Sequence, residues 1–491
     1  MGIIQKQSFY SSLAMGLGIL LGFVTSGYLL PNFLSEAQNG LLTLLNSYAL
    51  IYSQIALMGM GTVIIRFYPV LKDQQKSKPV FLLFISIIGL LGFLFFVMFY
   101  YCTKGMFKDV FATSPLFRQF YFLLLPLTFS TLFFYIYDSY STAIQKPVRG
   151  IVLKDVFQRI FILAALFAYI FFSVRFVSFM LLYTLAWVLP TVLLFLFLLR
   201  EGHWSFQFKE ISVIKLYYRD MAKVAGYSFL LGLTYVGVTN VDAIMIERYL
   251  SLEDAGIYGR NMFFGVLVAL PYRILHKSAS GQLSSHFAQN RFDEIRNIYY
   301  KSCINQWILG LFLFCLIWIN IDNVYQLIPE SYASGRYVIF FIGLGNLLNM
   351  AGGVNTAVIS FSPYYRWNTY LVSVLLVLIV LSNMAFIPLW GISGAALATA
   401  LSLGLYNFSM FLLLLIRYRF QPFNIRHLLA LFFALAGMLA CYAIPALPHY
   451  LIDIFVRSAI YSVLFFSLIW ATKLSPDING FAGFLLKKLK R

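Results

Sequence analysis

The stretch VFLLFISIIGLLGFLFFVMFYY, residues 80–101, carries no charged side chain. An α-helix rises ~1.5 Å per residue, so about 20 such residues cross the ~30 Å hydrocarbon core of a bilayer. Three lysines, Lys72, Lys76 and Lys78, lie shortly before this stretch. Because basic residues collect on the cytoplasmic side of membrane proteins, the pattern predicts a spanning helix that begins in the cytoplasm.

Comparable apolar runs recur throughout the 491 residues, which are 61% hydrophobic and only 11% charged. A soluble domain has about 25% charged residues, and a disordered chain is poor in aromatic ones. Both classes are excluded, since this chain has too few polar groups to cover a water-exposed surface and contains 51 Phe. We expect an all-α polytopic membrane protein with about 14 transmembrane helices. The predicted spans are 9–30, 41–65, 80–101, 118–138, 151–172, 176–199, 224–246, 256–277, 299–320, 337–360, 367–388, 391–416, 427–447 and 452–471.

The distribution of basic residues predicts the orientation. If the N-terminus is cytoplasmic, 27 of the 36 Lys and Arg fall in inner segments, whereas acidic residues divide evenly between the two sides. This bias predicts that both termini are cytoplasmic. The net charge of +18 therefore belongs to membrane-facing loops, and we expect no nucleic-acid partner.

The chain also contains a short internal repeat at a constant offset of 216 residues. It pairs Gly16 with Gly232, Phe33 with Tyr249, Leu34 with Leu250, Ser35 with Ser251 and Gly40 with Gly256. Such repeats are typical of transporters built from two parallel halves. We therefore predict two six-helix lobes made by parallel duplication, followed by two extra C-terminal helices. The predicted domains are 1–200, a cytoplasmic linker 201–223, 224–417, and 418–491 with its basic tail.

Ionisable residues within spans are costly and often functional, and Arg159 and Asp242 are the first candidates considered. Arg159 lies about 12 Å inside the inner end of its span, with Asp155 one helical turn away. This pair either fixes helix packing or supplies a functional cation. Asp242 lies about 7 Å from the outer end of its span and is a candidate ion-coupling residue. Its alternative role is to pair with Arg248 or Arg260.

Arginines near the ends of spans are candidates for binding phosphate, because the planar guanidinium holds two oxygens at once. Arg260, with Asn261, lies near the outer end of the eighth predicted span, and Arg273 lies near its inner end. Arg66 ends the second span. Each of these arginines has an alternative role, in which its long side chain reaches the membrane interface and anchors the helix.

Polar residues in the second span are candidates for contacting sugars. Ser47 and Gln54 are seven residues apart and share one helix face, next to Tyr48 and Tyr52. Sugar hydroxyls bind amides and stack on aromatic rings, so this face suits a glycan path. The alternative is that these groups form hydrogen bonds between packed helices.

Motifs for catalysis and cofactor binding are absent from the sequence. It has no Walker A loop, no HExxH, no GxSxG and no metal-ligand spacing among its four cysteines. We therefore expect a protein that is not an enzyme, does not hydrolyse ATP, and needs neither a cofactor nor a metal.

Several motifs resemble bacterial polysaccharide biosynthesis proteins. They are GIIQKQS at 2–8, the loop at 31–40, VIIRFYP at 63–69 and, most specifically, PLWGISGAALAT at 388–399. The resemblance covers nearly the whole chain. It is to the lipid-linked oligosaccharide flippases of the multidrug/oligosaccharidyl-lipid/polysaccharide (MOP) exporter superfamily.

This resemblance implies two lobes that form a V, with a cavity lined mainly by helices 1, 2, 7 and 8. The implied cargo is an oligosaccharide repeat unit on undecaprenyl diphosphate, moved from the inner to the outer leaflet of the bacterial inner membrane. Arg260 and Arg273 become candidate contacts for the diphosphate or an acidic sugar, Arg66 a guard at the inner mouth, and Asp242 the ion-coupling residue. The implied partners are the lipid-linked oligosaccharide, membrane lipids, and the glycosyltransferases and polymerase of the same pathway.

Alternative functions remain open at this stage. A cation-coupled multidrug exporter of the same superfamily would prefer carboxylates in its cavity, and Asp242 is the deepest one expected. A polysaccharide polymerase would need a large outer loop, whereas the longest predicted one has 16 residues. Relatives that flip the peptidoglycan precursor tend to carry basic residues in helix 1, and the span 9–30 has none.

Overall fold

The computed structural model describes residues 3–72, 78–103, 114–204 and 217–480, and these residues form helices and connecting turns without any strand. The helices are labelled here in chain order. They are α1 (Ile3–Gly22, continued by the π-helical turn Phe23–Leu29 and by Leu30–Phe33), α2 (Glu36–Leu57), α3 (Met60–Lys72), α4 (Lys78–Thr103), α5 (Pro115–Phe120, Tyr121–Leu123 and Leu124–Ala143), α6 (Val148–Ile151, the π-helical turn Val152–Phe157 and Gln158–Phe171), α7 (Phe176–Arg200), α8 (Tyr218–Tyr249), α9 (Leu252–Val266, Leu267–Ala269 and Leu270–Ala288), α10 (Phe292–Ile319), α11 (Ile321–Leu327), α12 (Arg336–Ala351), α13 (Asn355–Phe361), α14 (Tyr365–Tyr418), α15 (Ile425–Tyr442) and α16 (Tyr450–Ala471).

The expected all-α polytopic architecture is confirmed. Within the described ranges, 10 helices are long and apolar enough to cross a membrane, or 11 if the bent pair of α12 and α13 forms one span. The 54-residue α14 is counted once, although its backbone leaves the helical conformation at Trp390 and Gly391. The number fourteen is not confirmed, because α6 and α9 are not among the helices long and apolar enough to cross a membrane and α14 is counted once.

The break in α14 explains the motif PLWGISG. Gly391 has φ 58° and ψ −141°, a conformation open essentially to glycine alone. A β-carbon on Gly394 would overlap the carbonyl of Phe386, so the chain folds back closely on itself at this point. The small residues in this stretch therefore permit a tight turn between two helical segments.

The internal duplication is visible in the helix boundaries. The 216-residue offset maps Phe33, the last residue of α1, onto Tyr249, the last residue of α8. It maps Glu36, the first residue of α2, onto Leu252, the first residue of α9. It also maps Thr103, the last residue of α4, onto Ile319, the last residue of α10. The repeat found in a few residues of the sequence thus extends to whole helices.

Equivalent N-caps explain why α2 and α9 begin at equivalent positions. The Ser35 hydroxyl accepts a hydrogen bond from Gln38 N, and Gln38 Oε1 accepts one from Ser35 N at 3.0 Å. The Ser251 hydroxyl likewise accepts from Asp254 N at 3.0 Å and donates to the Asp254 carboxylate at 2.7 Å. Each serine satisfies a backbone N–H that the first helical turn leaves without an intrahelical partner.

The chain divides into two compact units, 1–256 and 257–491. In the first unit, aromatic residues of α2, α4 and α5 form much of the core, among them Tyr48, Phe96 and Phe117. In the second unit, α15 and α16 pack on α10, with Tyr461 and Phe465 fully buried. The lobe boundaries that we predicted from the duplication, 1–200 and 224–417, stay a prediction.

Candidate functional site

In the first unit, α2 runs along α8, and the predicted site residue Gln54 lies at the seam between them. Gln54 Oε1 lies 2.9 Å from the position of a β-carbon on Gly232, and Gly59 meets the backbone of Ala225. These contacts show that the two helices are antiparallel, so Ser47 lies near the level of Asp242. Both side chains are buried, with Ser47 4% and Asp242 2% exposed.

Tyr48 and Tyr52, the predicted sugar-stacking neighbours, lie in the aromatic core of the same unit. Their rings stack on each other at 5.7 Å, and they pack on Phe117 and Phe96 at 5.8 and 4.9 Å. Since both rings are buried, their faces are occupied by protein side chains. For these two residues the structure favours the helix-packing role over the glycan path.

Glu247 is a buried acidic residue that sequence reasoning missed. The seventh span was predicted to end at residue 246, whereas α8 continues to Tyr249 and buries Glu247 to 3% exposure. The Ser114 hydroxyl donates a hydrogen bond to Glu247 Oε1 at 2.7 Å. The available signal was spacing: Asp242, Ala243, Ile246 and Glu247 repeat with helical periodicity, so they lie on one buried face.

The α1–α6 seam holds the predicted pair Asp155 and Arg159. The Arg159 guanidinium lies where a β-carbon of Gly22 would be, and Asp155 packs in the same way on Gly18. Gly18 and Gly22 are one turn apart on α1, as the two charged residues are on α6, so the two glycines provide room for both charged side chains. Arg159 is half-buried, and the π-helical turn Val152–Phe157 directly precedes it. The geometry shows that Arg159 packs against α1.

In the second unit, Asn261 is fully buried and has hydrogen-bond partners within the protein. Its amide donates to the carbonyls of Ile257 and Tyr332 at 2.9 and 3.0 Å, and its oxygen accepts from the Tyr325 hydroxyl at 2.6 Å. Burial raises the pKa of Tyr325, which keeps that hydroxyl a donor. Asn261 thus ties α9 to α11 and to the 3-10 turn Glu330–Gly335.

The predicted arginines occupy different environments. Arg260, next to Asn261 on α9, is buried with 8% exposure. Arg66 is exposed on α3. Arg273 lies on α9, but its side chain is outside the described residues. Among the residues that the structure describes, His, Cys, Asp and Glu form no group of three suited to a metal ion.

Comparison by sequence finds no matching family model and no matching curated protein. Comparison of structures finds a lipid II flippase, MurJ, in an inward closed conformation, with a TM-score of 0.74 and 14% identity, over 94% of this chain and 99% of that one. An inward-facing multidrug resistance MATE family transporter of the MOP superfamily gives 0.63 and 13%, over 83% and 98%. A mutant of the Vibrio cholerae MATE transporter VcmN gives 0.59 and 12%, over 85% and 97%.

These similarities establish the fold. The chain has a polytopic helical fold similar to those of the MurJ flippase and of the MATE transporters. Membership of the superfamily named from the sequence motifs, and of its oligosaccharide-flippase branch, stays a prediction.

Proposed function

We propose that this protein is a transporter that moves an oligosaccharide repeat unit, linked to undecaprenyl diphosphate, from the inner to the outer leaflet of the bacterial inner membrane. The observation that carries the proposal is Arg260, a cation buried to 8% exposure on α9, the helix that corresponds to the eighth predicted span. Such a group is costly in this setting unless it serves a structural or functional partner. The fold, similar to that of a lipid flippase over 94% of the chain, supports the same assignment.

The physical task of such a transporter is to replace the water around a diphosphate and its sugars. These groups do not cross ~30 Å of hydrocarbon unassisted. Arg260 and Arg273 would bind the diphosphate through bidentate contacts, with Asn261 holding the helix that carries them. Arg159 and Arg66 are the further cations proposed for the path, and Ser47 and Gln54 would bind sugar hydroxyls. The polyprenyl tail would stay in the bilayer.

Energy for transport would come from an ion gradient or from consumption of the product, since the sequence has no ATP-binding motif. Asp242 is the proposed ion-coupling residue, because a buried carboxylate gains from binding a cation. Glycosyltransferases would supply the repeat unit and a polymerase would consume it.

A second candidate function is cation-coupled multidrug export. The observation that favours it is the pair of buried carboxylates on α8, Asp242 and Glu247, which would suit a positively charged cargo. A multidrug resistance MATE family transporter is also among the similar structures.

Cells depleted of the protein distinguish the two functions. The flippase proposal predicts that one unpolymerised repeat unit on polyprenyl diphosphate accumulates on the cytoplasmic leaflet, where its mass identifies it. Increased sensitivity to cationic drugs without such accumulation would favour the exporter. Accumulation on the outer leaflet would point to a polymerase and contradict both.

The arginines are tested in the same cells. Alanine at both Arg260 and Arg273 is expected to abolish complementation at normal protein levels, because the diphosphate loses its contacts. Alanine at Arg296, an exposed α10 residue paired with Asp293 at 3.4 Å, is the matched control and should complement fully. Intact export by the double variant would contradict the proposed phosphate contacts.

A further inference from the structure

Asn261 lies next to Arg260 on α9, and three hydrogen bonds fix the orientation of its side-chain amide. The two N–H groups donate to the carbonyl oxygens of Ile257 and Tyr332, which can only accept, so the amide oxygen faces the Tyr325 hydroxyl. Because Asn261 is fully buried, water does not compete for these contacts. Two of the three bonds therefore tie the first segment of α9 firmly to the chain segment 321–335.

Tyr325 lies on the short helix α11, which is anchored on its other side as well. Asn323 and Tyr325 are two residues apart, so they point about 200° apart around the helix. Tyr325 reaches α9, whereas Asn323 is buried and donates to Asp453 Oδ2 on α16 at 2.6 Å. Asn320, just before α11, donates to the Ser458 hydroxyl of α16 at 3.1 Å. The helix α11 is therefore a bridge between α16 and α9.

The place of the Arg260 guanidinium depends on how α9 is rotated about its axis. An arginine side chain extends several ångströms beyond its helix, so a rotation of ~10° moves the guanidinium by more than about 1 Å. Groups that bind a ligand need to be held within about 0.5 Å of the productive geometry by supporting contacts. Because α9 changes to a 3-10 turn at Leu267–Ala269, its first segment can rotate separately from the rest unless neighbouring elements hold it. Asn261 supplies such a contact one residue from Arg260.

We propose that Tyr325 is a positioning residue of the transporter. Through Asn261 it fixes the rotation of the first segment of α9, and with it the place of the Arg260 guanidinium that would bind the diphosphate. The helix α16 supports this contact by holding α11 through Asn323. The inference rests on the proposed function, because it needs Arg260 to contact the cargo, and it gives one of the two C-terminal helices a part in cargo binding.

Binding of undecaprenyl diphosphate to the purified full chain in detergent tests the inference. The affinity is measured for the wild type, Arg260→Ala, Tyr325→Phe and the double variant. We expect Tyr325→Phe to weaken binding about tenfold, because it removes one hydrogen bond and frees α9 to rotate. The double variant should bind as weakly as Arg260→Ala alone, because Tyr325 acts only through Arg260. A role limited to stability would instead give additive losses.

Tyr337→Phe is the matched control, because it removes an exposed hydroxyl in the first turn of α12 and should keep the wild-type affinity. If Arg260→Ala weakens binding and Tyr325→Phe does not, or if the two losses are additive, the positioning role is overturned and the proposed function stands. If Arg260→Ala leaves the affinity unchanged, the proposed phosphate contact is contradicted together with this inference.

Asn323→Ala tests the contribution of α16 separately. It removes the bond to Asp453 and leaves Tyr325 in place, so we expect affinity to fall about two- to tenfold, with no further loss when Arg260 is already alanine. Ser458→Ala, which removes the other bond between α16 and the start of α11, replaces it if Asn323→Ala does not fold. Thermal unfolding confirms that each variant is folded at the temperature of measurement. Wild-type affinity would overturn the part assigned to α16.

Discussion

Gly40 and Gly256, which the 216-residue repeat relates to each other, lie backbone against backbone. A β-carbon on Gly256 would lie 2.7 Å from Gly40 N, and one on Gly40 would lie 3.2 Å from Gly256 N. The neighbours are reciprocal as well: Gly40 meets the carbonyl of Leu252, and Gly256 meets that of Glu36, its repeat equivalent. Reciprocal contacts of this kind define a local twofold relation. The first turns of α2 and α9 therefore cross symmetrically on two glycines.

Alanine at either glycine should destabilise the protein, because the atoms in the way belong to backbone and cannot rotate aside. We expect Gly40→Ala and Gly256→Ala each to lose about 1–3 kcal/mol of unfolding free energy, measured in detergent. Gly226→Ala on α8 is the control, since nothing lies within 4 Å of its β-carbon. It should be neutral or gain up to about 1 kcal/mol from helix propensity. A Gly40→Ala protein as stable as the control would contradict the close crossing.

Local signals were sufficient to predict the architecture. Apolar length and basic bias predicted a polytopic helical protein, and the capping residues Ser35 and Ser251 carried the repeat that the helix boundaries confirm. These features depend on residues close together in the sequence, which is why a single sequence reveals them. The predicted count of fourteen spans is not confirmed, because α6 and α9 do not qualify as spans and the two runs within α14 are counted as one.

The environment of each polar side chain was harder to predict, since distant helices determine it. Glu247 was read as a loop residue, and its burial depends on Ser114, 133 positions earlier. Asn261 was proposed as a cargo contact, yet its partners Tyr325 and Tyr332 come from segments beyond the next helix. Such pairings follow from tertiary packing, and the spacing of residues along the chain does not predict them.

The packing of the Arg159 guanidinium on Gly22 of α1 leads to a second prediction. Gly22→Ala should displace the guanidinium, because the added methyl would occupy its position, and we expect a loss of about 1–3 kcal/mol together with impaired transport. The matched control is Gly16→Ala on the same helix, where nothing lies within 4 Å. Thermal unfolding and complementation measure the two effects. Equal behaviour of the two variants would show that Arg159 does not need the glycine.

A buried ion pair on α16 leads to a third prediction. Arg457 Nε lies 2.6 Å from Asp453 Oδ2, and the same guanidinium donates to the carbonyls of Cys441 and Ile444, both at 2.9 Å. Asn323 also donates to Asp453 Oδ2 at 2.6 Å. The network joins α16 to the end of α15 and to α11. Removing one partner leaves a buried charge, so Arg457→Met and Asp453→Asn should each cost about 3–5 kcal/mol.

The double variant tests whether these two costs share one origin. If the penalty comes from the unpaired charge, the double variant should lose clearly less than the sum of the two single losses. The exposed pair formed by Arg336 and Asp322, at 2.9 Å, is the control. Asp322→Asn should cost no more than about 1 kcal/mol, as is usual for solvent-exposed pairs. Additive losses at 453 and 457 would argue that the pair itself contributes little.

The fourth prediction concerns Glu201, which follows α7 and pairs with Lys146, between α5 and α6, and with Arg149 in the first turn of α6. Hydrogen bonds from Arg149 and Lys146, the latter at 2.8 Å, lower the pKa of the Glu201 carboxyl from 4.5 to about 2. A lowered pKa means that the pairing stabilises the folded state above the unfolded value of 4.5 and is lost as the pH falls from there to about 2. Glu201→Gln should therefore be less stable than the wild type at neutral pH and equally stable near the acid end of that range.

The size of this effect is limited by solvent, since the Glu201 side chain is 28% exposed. We expect a difference of about 1 kcal/mol at neutral pH and low salt, reduced at high salt because exposed pairs are screened. Glu294→Gln, an exposed acid on α10, is the control and should match the wild type at every pH. Unfolding free energies measured across the pH range decide the point. A difference that persists at the acid end would mean that Glu201 stabilises the protein by its shape, and that its charge contributes nothing.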